Sequence, residues 1–259
     1  MPGGVHFAHA MDWHLVFEPV ERTGAENMAL DETLLRDADR TGAAFLRLYH
    51  WSPPCLSFGR NEPALGRYDR AAIERLGLDV VRRPTGGRAV WHDQEVTYAV
   101  AAPVTAFGSL REAYRVIHQR IADALVALGA PATLAPRHTP AEAAISAGAC
   151  FTSPVGGEVV VRGRKVVGSA QVRHGRAFLQ HGSILLDGSQ EVIQAISRQP
   201  SGVSAATTLS AAVGRRVAFR EVADAIVATW ASEVAPTVPY RPLPSPTAPY
   251  ADPAWTWRR

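Results

Sequence analysis

Lys165 is the only lysine among the 27 basic residues of this 259-residue chain; the other 26 are arginines. A lysine ammonium, unlike a guanidinium, can lose its proton on burial and so can give one up and take it back. Lys165 fits that role, and it fits equally a solvated hairpin position. The chain has two cysteines, Cys55 and Cys150, and no CxxC or HExxH spacing. That composition excludes a disulfide framework and leaves only free-thiol chemistry. A free thiol with a pKa of ~8.5 is only a few per cent thiolate at neutral pH. A neighbouring ammonium raises that fraction, each unit of pKa lowering being worth about 1.4 kcal/mol. Fifteen positions separate Cys150 from Lys165, a spacing that by itself does not bring them into contact. Cys150 also reads as a small buried hydrophobe, the reading we assign to Cys55 on its apolar strand.

Two further segments could handle a ligand. The run Arg82-Arg83-Pro84-Thr85-Gly86-Gly87-Arg88-Ala89-Val90-Trp91-His92 places paired glycines between arginines and a histidine. Glycines let main-chain N–H groups approach an anionic or carbonyl-bearing group closely. The same pair also serves a hairpin turn, and the run matches neither a phosphate-binding P-loop nor a dinucleotide fingerprint. Gly168-Ser169-Ala170-Gln171 and Gln180-His181-Gly182-Ser183 put small residues on two strands, which opens room for a slender ligand. His92, His181 and Cys150 have no fixed metal-ligand spacing, so no metal is expected.

The elements that must carry these residues follow from pattern. Thr23 to Glu26 has capping-box spacing, and Met28, Leu30, Leu34 and Leu35 continue it as a helix over 24–37. Strands are expected over 45–51, 54–59 and 79–83, a short helix over 68–76, and a strand after the glycine loop. Leu110, Tyr114, Ile117, Ile121, Leu125 and Leu128 give one apolar face to a helix over 109–128. Residues 132–150 lack a period and read as loop with a short helix. A hairpin turning at Arg162-Gly163 carries Lys165, a strand over 177–186 carries His181, and an amphipathic helix covers 217–234. Seven prolines between Pro236 and Pro253 predict an extended tail. Hairpins with helices outside the strand runs indicate an α+β domain over 1–235 with a tail over 236–259.

Composition narrows the function classes. With 47% hydrophobic and 20% charged residues the chain is globular and large enough to bury a core without disulfides. It has neither an apolar run of membrane-spanning length nor a signal-peptide opening, so a cytoplasmic location and no membrane partner are expected. A net charge of +3 with scattered arginines argues against nucleic-acid binding.

Taken in order, the motifs resemble the lipoate and biotin protein ligase superfamily, which includes octanoyltransferases. Asn27-Met28-Ala29-Leu30-Asp31-Glu32 is similar to its opening helix, and Arg82 to His92 to its RRxTGGxAVxH signature. Asp93 to Tyr98 is similar to the octanoyltransferase form HDxExTYxV, Gly163 to Gln171 to the lysine hairpin, and Leu179 to Ser183 to the LQHGS strand. Cys150-Phe151 resembles the CF motif of the LipM type, which the ATP-dependent ligases do not need. Gly156-Gly157 stand where relatives carry bulkier residues.

The resemblance implies a synthetase- and biotin-ligase-like α+β fold of mixed, mostly antiparallel sheets flanked by helices. It implies transfer of octanoyl from octanoyl-acyl carrier protein, through a Cys150 acyl-enzyme with Lys165 as its partner, to a lysine of a lipoyl domain. The lipoyl domains would be those of the glycine cleavage H protein or of 2-oxoacid dehydrogenase subunits. In that reading Arg82, Arg83, Thr85, Gly86, Gly87, Arg88 and His92 line the acyl tunnel and its entrance. Gly168, Ser169, Ala170, Gln171, His181 and Gly182 line the rest, with main-chain N–H groups near Ala170 and Gly182 holding the thioester oxygen. No cofactor is needed, because the thioester arrives activated, and a monomer is expected. Two other activities share these motifs: an ATP-dependent lipoate–protein ligase, and an amidotransferase taking octanoyl from H protein.

Overall fold

The computed structural model describes residues 11–17, 20–136, 156–199, 206–233 and 247–259. Cys150 and Phe151, with most of the segment read as loop over 132–150, lie outside these residues.

Alternating side chains build a central sheet covered on both faces. Strands β1 (Trp13–Phe17), β2 (Ala44–Tyr49), β6 (Glu95–Pro103), β10 (Val167–His174) and β11 (Ala177–Leu185) hydrogen-bond in the order β1-β2-β6-β11-β10, antiparallel except for the β1–β2 pair. Ala44, Leu46 and Leu48 of β2 and Val96, Tyr98 and Val100 of β6 point to one face. There they meet Ile117, Ile121 and Leu125 of helix α4 (Leu110–Ala127) and Val222, Ile226 and Trp230 of the helix Phe219–Thr229 and its cap. The intervening residues Phe45, Tyr49, Ala99 and Ala101 point to the opposite face. Helix α1 (Gly24–Thr41) covers that face with Met28, Leu34 and Leu35. This is the period-2 partition expected of a sheet buried on both sides.

Helix α1 begins where its capping box places it: the Thr23 hydroxyl accepts from Glu26 N–H while the Glu26 carboxylate accepts from Thr23 N–H. It runs to Thr41 and ends at Gly42, whose φ of 80° suits a residue without Cβ. Two smaller three-stranded sheets flank the main one. In one, β3 (Cys55–Phe58) lies between β4 (Asp79–Arg82) and β5 (Val90–His92) and carries the glycine-loop motif. In the other, β8 (Val159–Val161) lies between β7 (Ala132–Leu134) and β9 (Arg164–Lys165), the lysine strand.

The structure adds one strand and corrects two expectations. Trp13–Phe17 is a strand at the edge of the main sheet, and Ala132–Leu134 is a strand within the segment read as loop. The described end of the tail is not extended. Ala248–Ala251 and Pro253–Thr256 are single helical turns, the second opening on Pro253 at its first position, where proline's missing N–H costs nothing. These turns dock on the body: Trp257 packs edge-on against Phe58 at 5.3 Å, and Tyr250 donates to Glu32 at 2.8 Å.

Candidate active site

A narrow cavity of about 30 Å³ opens where α1, β2, β3 and the β10–β11 pair converge. Its wall includes Arg83, His92, Gly168, Ser169, Ala170, His181 and Gly182, seven of the residues singled out in the sequence, together with Met28, Tyr49, Trp51, Ser57 and Thr97. Arg82, Thr85, Gly86, Gly87, Arg88 and Gln171 are not in its wall, although Thr85, Gly86 and Arg88 bond to residues that are.

The two signature arginines, Arg82 at the end of β4 and Arg83 just past it, face opposite ways. Arg82 is fully buried on the tail side, donating from Nε to Thr256 O at 2.9 Å and from Nη1 to Gly59 O at 2.7 Å and Glu62 O at 2.8 Å. It fastens the tail to the β3–β4 region. Arg83 points inward. Its Nη1 donates to Ser57 O and Oγ, both at 3.0 Å, while Nη2 donates to Gly86 O at 2.8 Å and Arg88 O at 2.7 Å. One guanidinium thus holds both ends of the Gly86-Gly87 turn. The turn needs glycine at 87, where φ is 89°, and it lies so close to Gly59 that a Cβ there would stand 1.9 Å from Gly87 O.

Each cavity histidine sits between a carboxylate and a hydroxyl. His92 Nδ1 is 2.8 Å from Glu95 Oε1 and its Nε2 is 2.7 Å from Ser57 Oγ, with the Trp51 ring stacked 4.0 Å away. His181 Nδ1 donates to Asp31 Oδ2 at 2.8 Å, so its Nε2 accepts from the Thr85 hydroxyl at 2.6 Å. Burial lowers the His181 pKa despite the carboxylate. Burial alone would raise the Asp31 carboxyl, but Arg47 and His181 outweigh it and the net shift is downward. Arg47, without exposed surface, bonds Asp31 Oδ1 at 2.7 Å and Asn27 Oδ1 at 2.6 Å. Asp31 and Asn27 belong to the opening-helix motif, so α1 sets the imidazole orientation on the far side of the cavity.

Gly168-Ser169 and Gly182 meet across the β10–β11 ladder, with Ser169 paired to Gly182. A Cβ at Gly182 would stand 2.3 Å from Ser169 Oγ and 2.8 Å from the Tyr98 ring. Glycine is required there by close approach. Gly182 lies on an inner strand flanked by β6 and β10, so its main-chain groups belong to the ladder. Ala170, on the outer strand β10, is the stronger candidate for a main-chain donor to a substrate oxygen. Gln171 Nε2 donates to Gln180 Oε1 at 2.7 Å, bracing the same pair of strands.

Lys165 is 1% exposed, and its Nζ donates to Glu158 Oε1 at 2.6 Å. Burial at that level excludes the solvated hairpin position. Its strand leads directly into β10 and so to the cavity wall at Gly168 and Ser169. Cys55 is buried, and desolvation pushes its thiol well above the ordinary value, which makes it a packing residue and a poor nucleophile. Sequence reasoning missed Asp31 and Glu95 as imidazole partners, Glu158 as the partner of Lys165, and His118 behind Ser169. The i,i+3 spacing of His92 and Glu95 was the only local signal. Among the described residues no group of three or more His, Cys, Asp or Glu could hold a metal ion, and no helix is long and apolar enough to cross a membrane.

Comparison with known proteins accords with this geometry. The family model of the lipoyl protein ligase A/B catalytic domain matches residues 23–231. Octanoyltransferase LipM of Symbiobacterium thermophilum is 37% identical over 237 residues, covering 85% of both chains, and that of Kyrpidia tusciae is 45% identical over 186 residues, covering 69% of this chain and 68% of its own. Among solved structures, ATP-bound lipoate-protein ligase A superposes with a TM-score of 0.71 at 20% identity over 86% of this chain and 85% of its own. LipL1 of P. falciparum, in complex with lipoate, gives 0.72 at 17% identity over 96% of this chain and 74% of its own. The low identities speak to the fold alone, which is the mixed α+β architecture expected. On the span of the family model and the identity to its members, the chain belongs to the lipoyl protein ligase A/B catalytic domain family.

Proposed function

We propose that this protein is an octanoyltransferase of lipoate biosynthesis that carries the acyl group on Cys150 and delivers it to a lipoyl-domain lysine. The observation that carries the reading is the pairing of LipM relatives at 37–45% identity with a lone lysine buried against Glu158 beside the cavity wall. A buried ammonium at that place favours a nearby thiolate over a thiol. The acyl donor is octanoyl-acyl carrier protein.

In the first half-reaction the Cys150 thiolate attacks the thioester carbonyl, a C–S bond to the enzyme forms, and the C–S bond to the donor breaks. The departing thiolate takes a proton from Lys165, leaving it neutral. In the second half-reaction the acceptor lysine amine attacks the acyl-enzyme, Lys165 accepts the proton released from that nitrogen, and Cys150 leaves as thiolate. An N–H near Ala170 meets the negative charge on the carbonyl oxygen in both steps. The acyl tail occupies the cavity. Burying its seven carbons contributes up to about 5–6 kcal/mol at ~0.8 kcal/mol per methylene. One methylene more or less changes this slightly, so length selection requires a closed tunnel end.

The test is transfer of octanoyl from carrier protein to a lipoyl domain without ATP. Activity that is abolished in C150A and in K165A supports the reading. ATP-dependent attachment of free octanoate that survives C150A would assign the chain to the ligases, and turnover from octanoyl-H protein alone would make it an amidotransferase.

A further inference from the structure

His118 sits in the middle of α4 without exposed surface, in a helix face otherwise made of alanine, isoleucine and leucine. Both its ring nitrogens are engaged: Nδ1 is 2.7 Å from Gly157 O and Nε2 is 2.8 Å from Ser169 Oγ. A carbonyl oxygen only accepts, so Nδ1 carries the proton and Nε2 must accept from the serine hydroxyl. Ser169 Oγ, its proton spent, then accepts from Tyr98 OH at 2.7 Å, and Tyr98 OH in turn accepts from Gln180 Nε2 at 3.0 Å. Every direction in this partly buried chain is set by a single carbonyl. Removing the neutral imidazole would take from Gly157 O its donor and from the Ser169 hydroxyl its acceptor within this chain.

The two ends of the imidazole belong to different parts of the site. Gly157 immediately precedes Glu158, the carboxylate that holds Lys165, and it is the main-chain entry to β8. Ser169 is in the cavity wall, four residues beyond Lys165. The groups that act on His118 from the packed elements are the Lys165 ammonium and the Tyr114 ring, with the Tyr98 hydroxyl linked to it through Ser169. The Tyr114 ring lies edge-on at 4.1 Å. Burial, with the Lys165 charge adding to it, keeps the ring neutral at ordinary pH.

We propose that His118 is a positioning residue for the acyl transfer, tying the Gly157 carbonyl to Ser169 so that the Glu158–Lys165 pair is held at the depth from which the ammonium acts on Cys150. This rests on the reading of Cys150 and Lys165 given above. His118 touches neither substrate nor the reacting sulfur.

The readout is the pH dependence of Cys150 alkylation by iodoacetamide, which follows the thiolate, measured beside the melting temperature in the full-length protein. Cys55 is buried, and C55A controls for it. In wild type the midpoint lies below the ordinary thiol value of ~8.5. In H118F, which keeps the ring volume but neither hydrogen bond, it rises by at least one pH unit, a tenfold loss of thiolate near neutrality. H118Q, which can still offer an acceptor to Ser169, recovers part of the shift. S169A shifts it in the same direction, and adding H118F to S169A adds little. A folded H118F with the wild-type midpoint overturns the proposal. If H118F does not fold, S169A with an unchanged midpoint overturns it. A wild-type midpoint already at the ordinary value defeats the Cys150–Lys165 dyad itself, and this proposal with it.

Discussion

Arg47 and Asp31 form an ion pair with no exposed surface on either side chain, and breaking it from one side gives a prediction whose size follows from the structure. In R47L the Asp31 carboxylate keeps the Tyr49 hydroxyl and His181 Nδ1–H, both at 2.8 Å, but no cation. The face-on contact of the guanidinium with the Tyr49 ring at 3.7 Å is also lost. Stranding a buried charge costs about 3–5 kcal/mol, whereas neutralising both partners is far cheaper because the desolvation penalty disappears with the charges. For a domain of this size that loss corresponds to a fall in melting temperature of about 10 °C. The double variant D31N/R47L, whose neutral amide can still accept from Tyr49 and His181, should recover about 2 kcal/mol or more. Urea unfolding of the wild type and the R47L, D31N and D31N/R47L variants measures all the terms. An R47L variant within 1 kcal/mol of wild type, or a double variant no more stable than R47L, would refute the assignment of this network as a charge pair that holds His181.

Two further outcomes follow from the same site. Gly182→Ala places a Cβ 2.3 Å from Ser169 Oγ and 2.7 Å from Gly168 O, the latter a main-chain atom that cannot swing away. The variant should lose about 2–3 kcal/mol by chemical denaturation, and a stability equal to wild type would contradict the strand contact. Acid should also weaken the fold before it protonates the native site. His118 in the folded chain takes a proton only near pH 4, against 6.5 for the ordinary group. Its contribution is therefore complete above pH 6.5 and lost as pH falls towards 4, by about 3 kcal/mol in total. His181 and Asp31, both shifted down, act in the same direction. Unfolding free energies at pH 7.5, 6 and 5 should decline steadily in wild type and less steeply in H118F; parallel declines would contradict the buried neutral imidazole.

The sequence exposed whatever a local rule could express. The capping box at Thr23, the apolar face of α4 and the hairpin at Arg162-Gly163 all stand where patterning placed them. Seven of the residues named in the sequence also line one cavity, and they fall in short motifs on three strands and one loop. What patterning could not supply was pairing across long sequence separation. Asp31 and His181 are 150 residues apart and His118 and Ser169 are 51 apart, so only the packed sheet reveals that they bond. Alternation along the strand expected over 79–83 implies that Arg82 and Arg83 face opposite ways, but not which of them reaches the cavity. That is fixed by the docking of Thr256 onto Arg82, a contact between the signature and a tail that its prolines made look extended. Trp13–Phe17 escaped notice because an edge strand of five residues has too few positions to display a period.

The most direct test of the acyl relay is the intact mass of the enzyme after a brief incubation with octanoyl-acyl carrier protein and no acceptor. The account predicts a gain of one octanoyl group, mapped by peptide analysis to Cys150, absent in C150A, and discharged when a lipoyl domain is added. An unmodified mass in wild type, or an adduct that persists in C150A, would contradict it.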